Sequence, residues 1–119
     1  MPFQNDHVSV TNEAGYTLVR FLGDLDMQIM MKVRPPLEEE AKALRGPVFI
    51  DLSAVEFLDS SAVNLLALFF QSAQRAHQQM AILGAGDQPS AVIEMVGLSD
   101  YVPLLPDLVA AKAALKIRA

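Results

Sequence analysis

Apolar and polar positions alternate over His7-Val8-Ser9-Val10, and a second strand-like run follows from Tyr16 to Leu22. Asn12-Glu13-Ala14-Gly15 between them carries turn chemistry, so the two runs predict an antiparallel hairpin. Gly23-Asp24-Leu25-Asp26 closes the second strand. The stretch MQIMMKVRPPLEEEAKALRG has helical periodicity but carries Pro35-Pro36. Proline is tolerated in a first turn and disfavoured in a helix interior. The expectation is therefore a short or irregular piece over Met27–Val33 and a helix from about Pro36 to Leu44, stopped by Gly46-Pro47. Val48-Phe49-Ile50-Asp51-Leu52 is a short apolar strand of the kind buried in a parallel sheet. Residues 60–78 predict a long helix, Ala81–Leu83 another buried strand, and Ser90–Val96 a short helix with Gly97 as its C-cap candidate. Val102 begins a last short strand. Asp107 caps a final helix over 108–117, where Lys112, Lys116 and Arg118 suit the negative end of the helix dipole.

A hairpin followed by alternating helices and strands predicts an α/β fold. Its sheet is mixed, with the hairpin antiparallel and later pairs parallel, joined by right-handed helical crossovers, and with about four helices in all. No repeat, linker or composition shift divides residues 1–119, so a single domain is expected. That length suffices for one sizeable core.

Composition narrows the function. The net charge of -5 opposes binding to nucleic acid or anionic membranes, and no basic cluster reverses it. Cysteine is absent, which removes disulfides, iron–sulfur clusters and thiolate zinc sites. Two histidines, His7 and His77, lie far apart, so neither a metal site nor a cofactor is expected. MPFQNDHVSV does not resemble a signal peptide, and the apolar run Leu65–Phe70 is too short to cross a bilayer. A soluble, cytoplasmic protein is the expectation.

The candidate chemistry sits in VEFLDSSAVNLLALFF, residues 55–70. With Ser60 set at zero on a helical wheel, Asn64, Ala67, Gln71, Gln74, Arg75 and Gln78 fall near its direction. Ala62, Val63, Leu65, Leu66, Phe69, Phe70 and Ala73 fall on the other side. Ser60 thus heads a narrow polar stripe. Either Asp59 or Ser60 suits the N-cap, since both side chains accept bonds from first-turn amides. A phosphoacceptor fits the same position, because helix N-termini favour anions. A phosphate would add about -1.5 to -2 charge beside Asp59.

The run from Asp51-Leu52-Ser53 through Phe57-Leu58-Asp59-Ser60-Ser61-Ala62 resembles the signature of the STAS domain, specifically the anti-sigma factor antagonists. Gly23-Asp24-Leu25-Asp26 is similar to the family's motif after its second strand. Val96-Gly97-Leu98 with Val102-Pro103-Leu104 is similar to its Gly-Leu step before the last strand. The resemblance spans Val8 to Leu115 and implies a bacterial partner switch without enzymatic activity of its own. An anti-sigma factor of the histidine-kinase-like ATPase fold phosphorylates the serine after the aspartate. The unphosphorylated form binds that kinase and frees its sigma factor, and a metal-dependent serine phosphatase restores the binding form. Carried over, the acceptor is Ser60, with Asp59, Ser61, Ala62 and Asn64 flanking it and Asp24 and Asp26 nearby, at the C-terminal end of the neighbouring strand. Ala62 stands where the family pattern has Gly, and its methyl is a candidate obstacle to close approach by a kinase. The same fold also serves as an unphosphorylated accessory subunit of transport or stress-signalling assemblies, which is the alternative reading.

Other features have plainer readings. Gly84-Ala85-Gly86-Asp87-Gln88-Pro89 begins like a dinucleotide fingerprint but lacks its last glycine and reads as a turn. Met27, Met30 and Met31 are either an adaptable patch or, by default, core. A serine hydrolase needs a histidine beside Ser60. His77 lies more than four helical turns away, and nothing in the sequence brings His7 close.

Overall fold

A computed structural model describes residues 4–115. Five strands form one sheet in the order β1-β2-β3-β4-β5. They are β1 (Val8–Glu13), β2 (Tyr16–Leu22), β3 (Val48–Ala54), β4 (Met80–Leu83) and β5 (Leu104–Leu105). The first pair is antiparallel, with Glu13 opposite Tyr16 across the two-residue turn Ala14-Gly15. The other three pairs are parallel. The expected mixed α/β sheet with an N-terminal hairpin is found.

Three helices join the parallel strands: α1 (Met27–Lys42), α2 (Ser60–Arg75) and α3 (Asp87–Met95), the last followed by a 3-10 turn at Leu98–Asp100. Each crossover advances the sheet by one strand in the same direction. Right-handed connections then place all three helices on one face. Their buried side chains share a core with Val8, Val10, Val19, Phe21, Ile50, Leu52 and Ile82. The alternate strand positions Leu18, Phe49, Ala81 and Leu83 face the other way. There α4 (Leu108–Ala114) covers them through Ala111 and Leu108. Asp107 caps α4 as expected, accepting from the Ala110 amide, but the helix ends at Ala114 with Leu115 as its C-cap, three residues short of the expected 117, and Lys116 and Arg118 lie outside the described residues.

Four other boundaries differ from expectation, each for a local reason. The irregular piece and the later helix are one helix, α1, running through both prolines and ending at Lys42. Its buried residues Met30, Val33, Leu37 and Ala41 keep helical spacing across Pro35-Pro36. Burying Met30, Val33 and Leu37 contributes about 1.5–3 kcal/mol each. That offsets the roughly 3 kcal/mol that an interior proline costs. The carbonyls deprived of partners belong to Met31 and Lys32, both exposed, where water can bond them.

Helix α2 ends at Arg75, three residues earlier than its polar stripe predicts. His77 adopts a left-handed conformation, φ 57°. Its amide donates to the Gln74 carbonyl and that of Gln78 to the Ala73 carbonyl, which is the Schellman pattern. The motif usually announces itself with glycine, and here it does not. Helix α3 starts at Asp87 rather than Ser90. Pro89 therefore sits in its first turn, where a missing N–H costs nothing. The last strand is shorter than expected and begins at Leu104, not Val102. Gly97 does follow α3 in the left-handed conformation, φ 83°.

Candidate functional site

The chain leaves β3 at Ala54 and crosses Val55–Leu58 before α2 begins at Ser60. Two hydrogen bonds lock this crossing to the end of β2. The Leu25 amide donates to the Phe57 carbonyl at 2.9 Å, and the Asp59 amide to the Leu25 carbonyl at 3.1 Å. Leu25 and Leu58 pair as an isolated parallel bridge with both side chains buried. Alternation then turns Asp24, Asp26, Phe57 and Asp59 outward on one side. Asp24 is exposed, and Asp26 caps α1 by accepting from the Ile29 amide at 3.0 Å. The structure thus brings Asp24 and Asp26 to the start of α2.

Asp59, not Ser60, is the N-cap of α2. Its Oδ1 accepts from the Ser61 amide at 2.9 Å, from the Ala62 amide at 3.2 Å and from the Ser61 hydroxyl in a short bond. Burial alone pushes the Asp59 carboxyl up. Bonds from the Ser61 hydroxyl and from the Ala62, Ser61 and Met27 amides outweigh it and hold the carboxyl below the usual carboxylate range.

The cap leaves Ser60 exposed, its hydroxyl taking no part in it. It also changes the expected seat for a phosphate. The first-turn amides of Ser61 and Ala62 are already occupied by Asp59, so a dianion on Ser60 meets a carboxylate rather than free N–H groups. Ser61 is half-buried and spends its hydroxyl on Asp59. Ala62 is 2% exposed, and its methyl packs into the core instead of standing at the surface. Asn64, Gln71, Gln74 and Arg75 are exposed, and Ala67 is half-buried, so the polar stripe exists as far as the helix does.

On one side of Ser60 the stripe forms the floor of a groove of about 390 Å³. Val96, Gly97, Leu98 and Tyr101 make its opposite wall, with the Tyr101 ring 5.9 Å from that of Phe70. Val96 and Tyr101 are largely exposed. On the other side of the site lie Phe57, Met27 and Met31, all exposed, while Met30 belongs to the core. The core reading therefore holds for Met30 and not for Met27 or Met31. Tyr101 had no signal in the sequence and Val96-Gly97-Leu98 stood out only as a family motif, because these residues meet α2 only through the packing of α3 and its 3-10 turn.

His77 lies past the far end of α2, roughly 25 Å along the axis from Ser60 at 1.5 Å per residue. His7 lies just before β1. Its carbonyl accepts from the Leu22 amide at 2.8 Å, which sets it on the edge strand's side of the same sheet end. Among the described residues, no three of His, Cys, Asp and Glu are grouped to hold a metal ion, and no helix is long and apolar enough to cross a membrane.

Acid stability follows from two carboxylates. Asp51 accepts from the Arg20 guanidinium at 3.0 Å and from the Ser53 amide at 2.8 Å. Burial raises it, and the bonds from Ser53 and Arg20 together with the Arg20 charge lower it further than burial lifts it. Asp51 and Asp59 thus titrate lower in the folded than in the unfolded chain, where an aspartate has a pKa of about 3.9. Their stabilisation is complete above that value and is lost as pH falls through the lowered folded values. Thermal melts between pH 7 and pH 2.5 are expected to show a steep loss below about pH 4. Asp59→Asn keeps a neutral cap and should flatten that loss. An unchanged acid slope in both Asp59→Asn and Asp51→Asn would count against this assignment.

The STAS domain family matches residues 7–111. The anti-sigma-B factor antagonist of Listeria monocytogenes is 28% identical over 86 residues, covering 69% of this chain and 72% of that protein. An anti-sigma factor antagonist from Mycobacterium paratuberculosis superposes with a TM-score of 0.81 at 26% identity, covering 92% of each chain. The antagonist SpoIIAA in its unphosphorylated form gives a TM-score of 0.77 at 15% identity, covering 94% of this chain and 99% of that one. Its phosphorylated form, from Bacillus, gives 0.69 at 16%, covering 93% and 99%.

Proposed function

The chain belongs to the STAS domain family, and from that membership we propose that it is an anti-sigma factor antagonist of a bacterial partner switch, gated by phosphate on Ser60. In this reading the unphosphorylated protein binds a serine kinase that doubles as an anti-sigma factor. The kinase transfers the γ-phosphoryl group of ATP to Ser60 and the complex separates. A metal-dependent serine phosphatase removes the phosphate and restores the binding form. The relatives named as anti-sigma factor antagonists support the antagonist role. SpoIIAA, which shares the fold, exists in phosphorylated and unphosphorylated forms.

The observation that carries the acceptor assignment is the division of labour at the head of α2. Asp59 does the capping, so the Ser60 hydroxyl is exposed and structurally idle. A residue in that position can be modified without dismantling the helix start. Ser61 is a poorer acceptor, since its oxygen is engaged by Asp59. The exposed groups on either side, Phe57 and Met27 on one and Val96 and Tyr101 on the other, offer a partner apolar contact around the hydroxyl.

Intact-mass measurement after incubation with ATP and the candidate serine kinases of the source organism tests the proposal. One added phosphate is expected on the wild-type chain and none on Ser60→Ala. Phosphate on Ser60→Ala, or none on wild type with every such kinase, would refute it.

A further inference from the structure

The turn Gly84–Pro89, which the sequence presents as a broken nucleotide fingerprint, carries a side chain aimed at the acceptor segment. Gln88 makes two hydrogen bonds to one residue thirty positions away. Its Oε1 accepts from the Leu58 amide at 3.0 Å, and its Nε2 donates to the Leu58 carbonyl at 2.9 Å. Both backbone groups of Leu58 are satisfied by this one amide, as a neighbouring strand would satisfy them. The Leu58 side chain is fully buried, so the residue is held from the core as well.

The support behind Gln88 is firm. Gly84 ends β4 with φ 66°, and its amide donates to the Leu105 carbonyl at 2.9 Å. The Ser90 hydroxyl donates to the Ala85 carbonyl at 3.1 Å, and the Ser90 amide to the Gly86 carbonyl at 2.9 Å. Gln88 is the second residue of α3, and Pro89 fixes the backbone immediately after it. The amide fork is thus presented from a closed turn rather than from a free loop.

We propose that Gln88 is a positioning residue that fixes Leu58 and, through it, sets the direction of Asp59 and Ser60. Leu58 is the last residue before the α2 cap. With its amide and carbonyl both pinned, little backbone freedom remains between the sheet and the acceptor. The clamp also joins α3 to the acceptor segment, and α3 leads directly into the Val96–Tyr101 wall of the groove. The kinetic part of this inference rests on the reading of Ser60 as the acceptor, and the clamp itself does not.

Amide hydrogen exchange of the full chain, with Gln88→Met and Gln88→Glu beside wild type, tests it. Methionine keeps the length and apolar bulk but neither bond. Glutamate keeps the acceptor and loses the donor. Leu58 exchange is expected to quicken about tenfold in Gln88→Met, as the loss of a net hydrogen bond implies. The increase should be smaller in Gln88→Glu and confined to residues 57–60. With a kinase that modifies Ser60, Gln88→Met should lower kcat several-fold and leave KM unchanged. Wild-type exchange at Leu58 in Gln88→Met would overturn the clamp. Uniform quickening across β3 and α2 would overturn it too, as would an unchanged kcat alongside faster Leu58 exchange, since positioning would then be absent. If no kinase modifies wild type, the functional reading fails while the exchange pattern still decides whether Gln88 holds Leu58.

Discussion

Ser60→Asp is expected to bind the kinase partner roughly ten- to a hundredfold more weakly than wild type, while its melting temperature barely moves. Two features set these opposite outcomes. The Ser60 hydroxyl takes no part in the α2 cap, so replacing it removes no cap bond. A carboxylate at the first helical position also gains a few tenths of a kcal/mol from the helix dipole, with Asp59 opposing it by a similar amount. The surface tells a different story. The new charge joins Asp59, Asp26 and Asp24 at one end of the sheet, and the Asp59 carboxylate is already held in its charged form. Two unit charges about 4 Å apart repel by about 1 kcal/mol in water and about 4 kcal/mol at an effective dielectric of 20. A closing interface moves the site from the first regime toward the second. A difference of 1.4–2.8 kcal/mol is about ten- to a hundredfold in affinity. Titration calorimetry with nucleotide-bound kinase measures it, and Ser60→Asn supplies the neutral control. Equal weakening by Asn and Asp would show that shape, not charge, sets the affinity. The Asp penalty should shrink at high salt.

Gly84→Ala is expected to cost about 2–5 kcal/mol of folding stability, far more than most exposed turn substitutions. The residue has φ 66°, a conformation that costs an L-residue about 1–2 kcal/mol. A Cβ there would also stand 2.8 Å from Ser53 Cβ and 3.2 Å from Ser53 Cα, and the second of these is backbone. Relieving that overlap means parting the ends of β3 and β4, which adds about 1–3 kcal/mol. Gly86, two residues on, is the internal control. It has an ordinary φ of -75° and nothing within 4 Å of a Cβ. Gly86→Ala should cost under about 1 kcal/mol, the difference between glycine and alanine at an N-cap. Urea denaturation compares the pair. Similar midpoints for the two variants would mean that the close approach at Ser53 is easily relaxed.

The sequence revealed most of the architecture because periodicity carries it. The hairpin, the buried strands at Phe49–Ile50 and Ala81–Leu83 and the amphipathic α2 all follow from apolar spacing. What it hid were contests between local and distant forces. Pro35-Pro36 speaks locally against a helix, and the apolar row Met30, Val33, Leu37 and Ala41 overrides it once α2 and the sheet are in place. The end of α2 had no glycine to mark it, since His77 takes the left-handed role. At the site, Asp59 and Ser60 are both good caps by residue type. Only the backbone angles and the three donors on Asp59 Oδ1 separate them. Gln88 was unreadable in principle: nothing within its own turn points to Leu58, and the fold alone brings them together.

The strand order carries one more consequence. Because β1 to β5 lie in the sheet in the sequence in which they occur along the chain, every strand after the first lies beside the strand that precedes it. No strand must be inserted between two others, and no loop longer than a single helical crossover has to close. Each parallel pair still has to close a loop as long as a helical crossover, far longer than the two-residue turn of the hairpin. The acceptor segment follows β3, in the middle of that order. Its clamp, Gln88, belongs to α3, one crossover further along the chain, so the Ser60 end of the sheet is complete only when β4 and α3 are in place.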